Sequence, residues 1–413
     1  MLLSIKVKNF RSFKDEQEIS FVLKDGERAE KSRHIDVQTK AGKLRILKNA
    51  MIYGANASGK SNLFQAVIQL SNLVLFPTMS DEQGLYADTF GNNLENVRFE
   101  IQFLQNKNVY DYRLEYNRQE VVFEELKQNN ELVFERQLQK INYPALAEEL
   151  RPLLTTIRKT NLVLFFAQNN NQPIGKEAFV WFYNYRGGRS QNIIQKLKTS
   201  PELKERMIYA LRFADFNITD IEIEENERPV VEFGVKFNPS QADQRDFDGF
   251  QQQKQTQKMT EVYFIHEHDG ERFRVLLQNE SVGTQQYFNI ILLLLNANQE
   301  NNFSILYDEF DLSLHQKLSQ SLVKLLNSES NHVQFISTTH DSSLMNLLQK
   351  HQIYFVEKSH SGESEIFKLS DFEEIDKVRR DSAYAPKYDA GLFGASQIVN
   401  EAGLVSILGE TSG

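Results

Sequence analysis

The residues best suited to chemistry lie between Gly54 and Ser61, in the sequence Gly-Ala-Asn-Ala-Ser-Gly-Lys-Ser. This spacing is typical of a phosphate-binding loop, in which backbone N–H groups surround a phosphate, the lysine reaches its outer oxygens and the final hydroxyl binds Mg²⁺. An apolar run precedes the loop, and apolar residues recur at helical spacing from Lys60 to a point before Pro77. This strand–loop–helix setting is the one that the chemistry needs, because a helix N-terminus attracts phosphate.

Acidic residues end a second apolar run, at Asp308 and Glu309. A phosphate loop needs a carboxylate at the end of a neighbouring strand to hold Mg²⁺, and we expect Asp308 to supply it, while Glu309 is placed to polarise an attacking water. His340 ends a third apolar run, and we expect it at the same sheet edge, within reach of the outermost phosphate. Each residue taken alone has another explanation, an acidic turn or a surface histidine.

A serine and a glycine, Ser281 and Gly283, open a leucine-rich helical segment. Such residues can bind phosphate through a hydroxyl, backbone N–H groups and the helix dipole. An ordinary helix N-cap at Ser281 or Thr284 explains the same pattern, and in isolation that explanation is the stronger one.

The elements that must position these residues follow from the periodicity. Strands alternate with helices in the last third of the chain, which predicts a parallel sheet, and residues 97–135 predict an antiparallel meander. A single strand is expected at 46–53, and the apolar run 162–167 could be another. The predicted segments of the last third are strands at 262–266, 274–277, 304–307, 333–337 and 353–357 and helices at 284–295, 314–327 and 342–349.

Composition excludes several classes of protein. The chain has 413 residues, a net charge of −9 and no cysteine, so it is neither a disulfide scaffold nor a thiol enzyme, and it has no Cys-ligated metal site. Its longest apolar run, residues 290–295, is far shorter than the roughly 20 residues of a membrane helix. We expect a cytoplasmic protein without a membrane partner. Residues 1–60 hold 13 Lys/Arg and 7 Asp/Glu, a net of +6, which could form a local DNA-binding patch.

In this order the elements resemble the ABC-type ATPases of the SMC/RecF/OLD branch. Residues 5–13 are similar to that branch's first strand and NFRSF turn, and residues 54–62 to its GxNxSGKSN loop. Residues 308–315 resemble its Walker B motif and D-loop, with Asp311 in place of Glu, and residues 337–340 resemble its switch histidine. Residues 388–395 resemble the YxxGRFGA stretch of the smaller RloA-like ATPases, which include ATPases of two-gene anti-phage systems, with Leu392 in place of Arg.

The resemblance implies ATP and Mg²⁺ as ligands, enclosed between two heads that bind head to tail. Each ATP would meet the phosphate loop of one chain and the signature residues of the other, where Val282 replaces the first glycine of LSGGQ. The implied nucleotide-binding residues are Gly54, Asn56, Ser58, Gly59, Lys60, Ser61, Asn62, Arg11, Ser281, Gly283 and Asp311. The implied metal-site residues are Ser61, Asp308 and Gln168, and the implied catalytic residues are Glu309 and His340.

The sequence therefore favours an α/β fold of the P-loop NTPase type: an ABC-type ATPase head with an N-terminal β-rich lobe, a parallel-sheet lobe and a mixed α/β insertion. The expected domains are an N-terminal ATPase lobe (1–140), an inserted arm (141–260) and a C-terminal ATPase lobe (261–413). The leading hypothesis is that ATP closes a homodimer, on which a higher even oligomer could build, and that hydrolysis opens it. By resemblance, the output would pass to an effector such as a nuclease or RloB-like protein in anti-phage defence. The alternative is a RecF-like DNA-binding clamp ATPase acting in DNA repair.

Overall fold

The computed structural model describes residues 1–80, 82–146, 148–185, 190–214, 216–233, 252–300, 304–372 and 383–396. The chain divides into two compact units, the first formed by Met1–Arg189 with Asn296–Gly413 and the second by Ser190–Leu295. The expected domain boundaries at residues 140 and 260 stay predictions. Part of the expected arm, 234–251, and the end of the C-terminal lobe, 397–413, lie outside the described residues.

The secondary structure is mixed throughout the described residues. The strands are β1 (Leu2–Lys8), β2 (Gln17–Ser20), β3 (His34–Thr39), β4 (Gly42–Leu47), β5 (Asn49–Tyr53), β6 (Val97–Gln105), β7 (Asn108–Tyr116), β8 (Val121–Gln128), β9 (Glu131–Gln137), β10 (Lys140–Asn142), β11 (Ile218–Phe233), β12 (Gln252–His268), β13 (Glu271–Leu276), β14 (Ser304–Tyr307), β15 (Gln334–Thr338), β16 (Ile353–Lys358) and β17 (Ser364–Lys368). The α-helices are α1 (Lys60–Leu75), α2 (Val163–Asn169), α3 (Pro173–Tyr185), α4 (Ser190–Thr199), α5 (Pro201–Phe213), α6 (Val282–Glu300), α7 (Gln316–Leu326) and α8 (Tyr384–Asp389).

A five-stranded sheet forms the centre of the first unit, in the order β14-β15-β5-β16-β17. The first four strands are parallel, and β17 pairs with β16 in the antiparallel sense. Every residue of β5 is buried, as expected for a parallel strand that is covered on both faces. The predicted parallel sheet is confirmed, and α1 begins and ends as the periodicity indicates.

A seven-stranded antiparallel sheet, in the order β10-β9-β8-β7-β6-β1-β2, belongs to the same unit and confirms the predicted meander. Buried and partly exposed residues alternate along β6 and β7, which is the pattern of strands with one face on the core. The N–H group of Leu2 donates to Ser304 Oγ at 2.8 Å and to Gln334 Oε1 at 3.0 Å. The start of β1 is thereby joined to the first residues of β14 and β15.

Two local predictions were wrong. The run at 46–53 is divided between β4 and β5, because the chain leaves its pairing with β3 at Leu47 and enters the parallel sheet at Asn49. The run at 162–167 is not a strand but the start of α2. Its first N–H groups, on Val163 and Leu164, donate to the buried carboxylate of Glu124 at 2.7 and 3.0 Å, and this satisfies donors that a helix N-terminus leaves without partners.

The second unit contains the three-stranded antiparallel sheet β11-β12-β13. The strands predicted at 262–266 and 274–277 belong to this sheet and not to the parallel one, so that part of the prediction was wrong. In the first unit, the helix predicted at 342–349 is a 3-10 helix at Ser342–Leu347. On α5, the buried residues Leu203, Met207 and Leu211 recur every four residues and form one apolar face.

None of the helices in the described part of the chain combines the length and the apolar composition that a bilayer crossing requires. The architecture is that of an α/β P-loop fold with several sheets.

Candidate functional site

The predicted phosphate loop lies between β5 and α1, and glycine is required at both of its ends. A β-carbon on Gly54 would overlap the carbonyl oxygen of Val356, and one on Gly59 would overlap the hydroxyl oxygens of Ser12 and Ser364. Gly59 also caps α1 in the left-handed conformation, with φ of 111°, which favours glycine over other residues. The loop is therefore packed closely against β16 and β17, and it places the N-terminus of α1 at the sheet edge.

Ser12 and Ser364 lie against the phosphate loop, beside Gly59, and the sequence did not single them out as site residues. The Ser364 hydroxyl donates to the carbonyl oxygen of Ser58 at 2.5 Å, and its N–H group donates to the carbonyl oxygen of Ser12 at 2.7 Å. The turn containing Ser12 was recognised, but no local signal connects it with a strand about 350 residues later. These bonds fix the loop to the strand β17.

Lys60 is 6% exposed, and its Nζ atom donates to the carbonyl oxygens of Gly54 and Ala55, both at 2.9 Å. Burial is the main influence on the side chain and lowers its pKa to about 8. Three carboxylates act in the opposite direction: those of Asp308, Asp311 and Glu309. A phosphate group in the loop would supply the close counter-charge that a buried ammonium group needs.

The first turn of α1 connects with the N-terminal turn through Asn62. Its amide nitrogen donates to Ser12 Oγ at 2.8 Å, and its Oδ1 atom accepts from Arg11 Nη1 at 3.5 Å. Arg11 also forms a salt bridge with Asp88, with Nε and Oδ2 2.8 Å apart. Ser61 is exposed at the same turn. The structure thus brings Arg11 to the phosphate loop through Asn62, and places the Ser61 hydroxyl where solvent or a ligand can reach it.

Asp308 and Glu309 follow β14, which is not adjacent to β5 because β15 lies between them. The expectation of a directly neighbouring strand is wrong in this detail. Thr338, the last residue of β15, connects the two sides: its hydroxyl donates to Asp308 Oδ1 at 2.5 Å and accepts from the N–H group of Glu309 at 2.8 Å. Glu309 has the left-handed φ of 53°, which is uncommon for a residue with a side chain. Thr338 therefore orients both acidic residues.

His340 lies at the same edge, immediately after β15. The backbone N–H group of His340 donates to both carboxylate oxygens of Asp311, at 3.3 and 3.4 Å. Burial, followed by the positive charge of Lys60, lowers the pKa of the imidazole, while three carboxylates raise it: those of Asp311, Glu309 and Asp308. Because burial has the largest effect, the neutral ring is favoured at neutral pH, and a neutral imidazole can donate one hydrogen bond to a ligand.

The structure brings most of the predicted residues together in the first unit. Those at the loop or the facing sheet edge are Gly54, Asn56, Ser58, Gly59, Lys60, Ser61, Asn62, Arg11, Asp308, Glu309, Asp311 and His340. Gln168 is also in this unit, in the last turn of α2, and its role at a metal stays a prediction. Thr338 was missed, although it stands within the quoted motif that ends at His340.

Ser281 and Gly283 belong to the second unit. The Ser281 hydroxyl accepts from the N–H group of Thr284 at 3.1 Å and hydrogen-bonds its hydroxyl at 2.8 Å. This is the geometry of a helix N-cap, so the simpler explanation of the serine holds locally. Val282 is 56% exposed beside it. Binding of a phosphate by Ser281 and Gly283 stays a prediction.

The ligand chemistry of the site fits Mg²⁺ bound together with phosphate. The described residues contain no group of three or more His, Cys, Asp or Glu side chains placed to hold a metal ion. A magnesium ion at a phosphate loop does not need such a group, because phosphate oxygens and waters complete its octahedral shell. The Ser61 hydroxyl and the Asp308 carboxylate are hard oxygen ligands of the type that Mg²⁺ prefers.

Residues 50–346 match the protein family described as "AAA domain, putative AbiEii toxin, Type IV TA system". The chain belongs to this family. The matched segment extends from β5 past His340 and includes the phosphate loop, the acidic pair after β14 and the segment 281–283. Membership in this family of AAA domains implies nucleotide binding.

SMC head domains are among the solved structures to which the chain is similar. The SmcHead bound to the C-winged helix domain of ScpA is 14% identical, with a TM-score of 0.45, over 91% of this chain and 99% of that chain. The SMC head domain from Thermotoga maritima is 17% identical, with a TM-score of 0.41, over 89% and 98%. The Smc head domain with an extended coiled coil, bound to the C-terminal domain of ScpA derived from Pyrococcus furiosus, is 12% identical, with a TM-score of 0.44, over 92% and 99%. No curated protein matches the chain.

Proposed function

We propose that this protein is a Mg²⁺-dependent ATPase whose catalytic residues are Glu309 and His340. The proposal rests on one observation: a buried lysine, an acidic pair held by Thr338 and a histidine lie at the same edge of the parallel sheet, beside the loop that requires glycine at both ends. Lys60 would bind the outer phosphates, and Ser61 and Asp308 would hold the metal ion. The metal supplies charge neutralisation when bound.

The roles of the two acidic residues follow from their hydrogen bonds. Asp308 accepts a hydrogen bond from the Thr338 hydroxyl, which fixes the orientation of the carboxylate for a metal. Glu309 is exposed, and its backbone is held by the same threonine, so its carboxylate can accept a proton from a water molecule. His340, favoured in its neutral form, would donate a hydrogen bond to the outermost phosphate.

We further propose that ATP closes a homodimer, with higher even oligomers built on it. Two apolar side chains at the expected contact positions are exposed: Val282 at 56% beside Ser281 and Gly283, and Leu312 at 50% beside Asp311. Burial of such side chains against a second copy would favour closure. The resemblance of residues 388–395 to RloA-like ATPases is the support for an effector partner, a nuclease or RloB-like protein, and for a role in anti-phage defence.

The alternative, a RecF-like clamp on DNA, has less support from the charges. Arg11 pairs with Asp88 at 2.8 Å, and Lys14 pairs with Glu363 at 2.6 Å, so in both pairs the acidic partner lies outside residues 1–60. Such pairs neutralise part of the basic excess of the N-terminal block before any phosphate backbone arrives. Binding to duplex DNA that weakens steeply with added salt would favour the clamp.

The deciding experiment uses Glu309→Gln with Glu135→Gln as its control, because Glu135 is an exposed glutamate on β9. We expect Glu309→Gln to retain ATP binding while losing steady-state hydrolysis, and Glu135→Gln to behave as the wild type. Light scattering on a sizing column should show the mass of Glu309→Gln rising from 48.0 kDa toward that of a dimer only with Mg·ATP. Full turnover by Glu309→Gln would contradict the catalytic assignment, and a mass that does not respond to ATP would contradict ATP-driven closure.

A further inference from the structure

The segment of residues 384–396 packs behind the phosphate loop through the side chain of Tyr388. This ring lies edge-on to Tyr53, the last residue of β5, with ring centroids 6.0 Å apart, and it stacks on Phe355 of β16 at 5.6 Å. Only 8% of Tyr388 is exposed. The strand that leads into the loop therefore rests against an aromatic layer supplied by the C-terminal part of the chain.

The Tyr388 hydroxyl begins a chain of hydrogen bonds that leads to the strand beside the loop. It donates to the carbonyl oxygen of Ala395 at 3.0 Å. Burial, followed by the negative charge of Asp389, raises the pKa of Tyr388 to about 12, so the phenol is a hydrogen-bond donor at neutral pH. The N–H group of Ala395 donates to Glu357 Oε1 at 3.2 Å, and Glu357 follows Val356 of β16, whose carbonyl oxygen borders Gly54.

The start of the loop is supported from two sides, by the Tyr388 ring against Tyr53 and by Lys60. Lys60 Nζ donates to the carbonyl oxygens of Gly54 and Ala55 at 2.9 Å. In the proposed function this ammonium group turns to the nucleotide phosphates, and its hydrogen bonds to the loop are given up. The ring contact between Tyr388 and Tyr53 does not depend on the lysine and can persist.

We propose that Tyr388 is a positioning residue of the phosphate loop, which holds the end of β5 at Tyr53 in place when Lys60 engages the nucleotide and so couples residues 384–396 to nucleotide binding. The inference rests on the proposed function. A chain segment that supports the loop must in turn be stabilised when a ligand binds the loop, because coupling between two sites is reciprocal. The C-terminal segment would then report the nucleotide state of the site to whatever binds beside it.

The test compares Tyr388→Phe with Tyr384→Phe. Both variants remove one phenol hydroxyl from α8, and residue 384 has no described contact with the phosphate loop. Since one buried hydrogen bond contributes about 0.5–1.5 kcal/mol, we expect Tyr388→Phe to raise the KM and the Kd for Mg·ATP about three- to tenfold while kcat stays within about twofold. Tyr384→Phe should leave all three values unchanged.

Hydrogen–deuterium exchange separates coupling from mere packing. With Glu309→Gln in the background to prevent turnover, Mg·ATP should slow exchange in residues 384–396, and Tyr388→Phe should remove that protection. If Tyr388→Phe lowers Tm but leaves both KM and the protection intact, the inference is overturned. If Tyr388→Phe does not fold, Glu357→Ala takes its place, because it removes the exposed acceptor of the Ala395 N–H group. We expect this variant to raise the KM for Mg·ATP by about two- to threefold. An unchanged KM together with undiminished protection of residues 384–396 would overturn the inference. Absence of ATP binding by the wild type would instead refute the proposed function.

Discussion

Thr338 offers the sharpest test of how the site is held together. It is 1% exposed, it lies on the strand between β14 and β5, and its hydroxyl bonds both acidic residues. Substitution by valine keeps the branched shape and removes only the hydroxyl group. The carboxylate of Asp308 then loses a donor, and the N–H group of Glu309 loses its acceptor.

The magnitude follows from these two hydrogen bonds. A bond to a charged group contributes about 1.5–3 kcal/mol and a neutral one about 0.5–1.5 kcal/mol. Part of this loss is recovered by solvent, because Asp308 and Glu309 are exposed. If about 1.4–2.8 kcal/mol of it is lost from the transition state, kcat falls about 10- to 100-fold.

The assay is steady-state ATP hydrolysis together with urea unfolding, and the matched control is Thr339→Val. Thr339 is also buried and is the next residue, but its hydroxyl accepts only from the N–H group of Asp341, at 3.1 Å. We expect both variants to lose about 1 kcal/mol or more of unfolding free energy, and only Thr338→Val to lose kcat. A destabilised Thr338→Val protein with the kcat of the wild type would refute the view that this hydroxyl orients the catalytic pair.

The remaining predictions concern the loop and its support. Burial lowers the pKa of Lys60 to about 8, so between about pH 8 and 10.5 the folded protein without ligand binds fewer protons than the unfolded chain. Its free energy of unfolding should therefore rise with pH over that window. Urea titrations of the wild type and of a Lys60→Met variant, which lacks this effect, measure the difference. Over the same window the affinity for Mg·ATP should fall as the ammonium group loses its proton, which calorimetry measures. Gly59→Ala should destabilise the protein by more than Gly42→Ala, because both glycines have a left-handed φ but only Gly59 lacks room for a β-carbon; equal losses in urea titrations would contradict the overlap. Arg136→Leu should cost about 3–5 kcal/mol of unfolding free energy, because it leaves the fully buried Glu124 without its nearby positive charge; a loss below about 1 kcal/mol would show that the hydrogen bonds of Glu124 suffice.

Residues 54–61 could be predicted from the sequence because their function is carried by local geometry. Glycine spacing and the following lysine specify a loop conformation whatever the rest of the chain does, and the helix that begins at Lys60 shows its own periodicity. The order of the strands carries no such local signal. Asp308 and Glu309 were recognised as strand-end acids, but the insertion of β15 before β5 depends on packing of the whole sheet.

Residues that act through distant partners were not predictable for the same reason. Thr338 meets an acidic pair about 30 residues earlier in the chain, and Tyr388 packs against Tyr53, more than 300 residues earlier. The apolar run at 162–167 could have been a strand but begins the helix at 163–169, and its composition suits both states. What decides the case is Glu124, about 40 residues away, whose carboxylate binds the first N–H groups of the helix.

The charges at the sheet edge explain why nucleotide and metal must be considered together. Three carboxylates, those of Asp308, Glu309 and Asp311, act on a single ammonium group, that of Lys60. A polyphosphate that approached this edge without a metal would meet a net negative charge, and the attraction of Lys60 would be partly cancelled. A divalent cation held by Asp308 and Ser61 reverses that balance. The hydrogen bond from Thr338, which holds the Asp308 carboxylate in place for the cation, should therefore contribute to the nucleotide affinity of the site as well as to its catalysis.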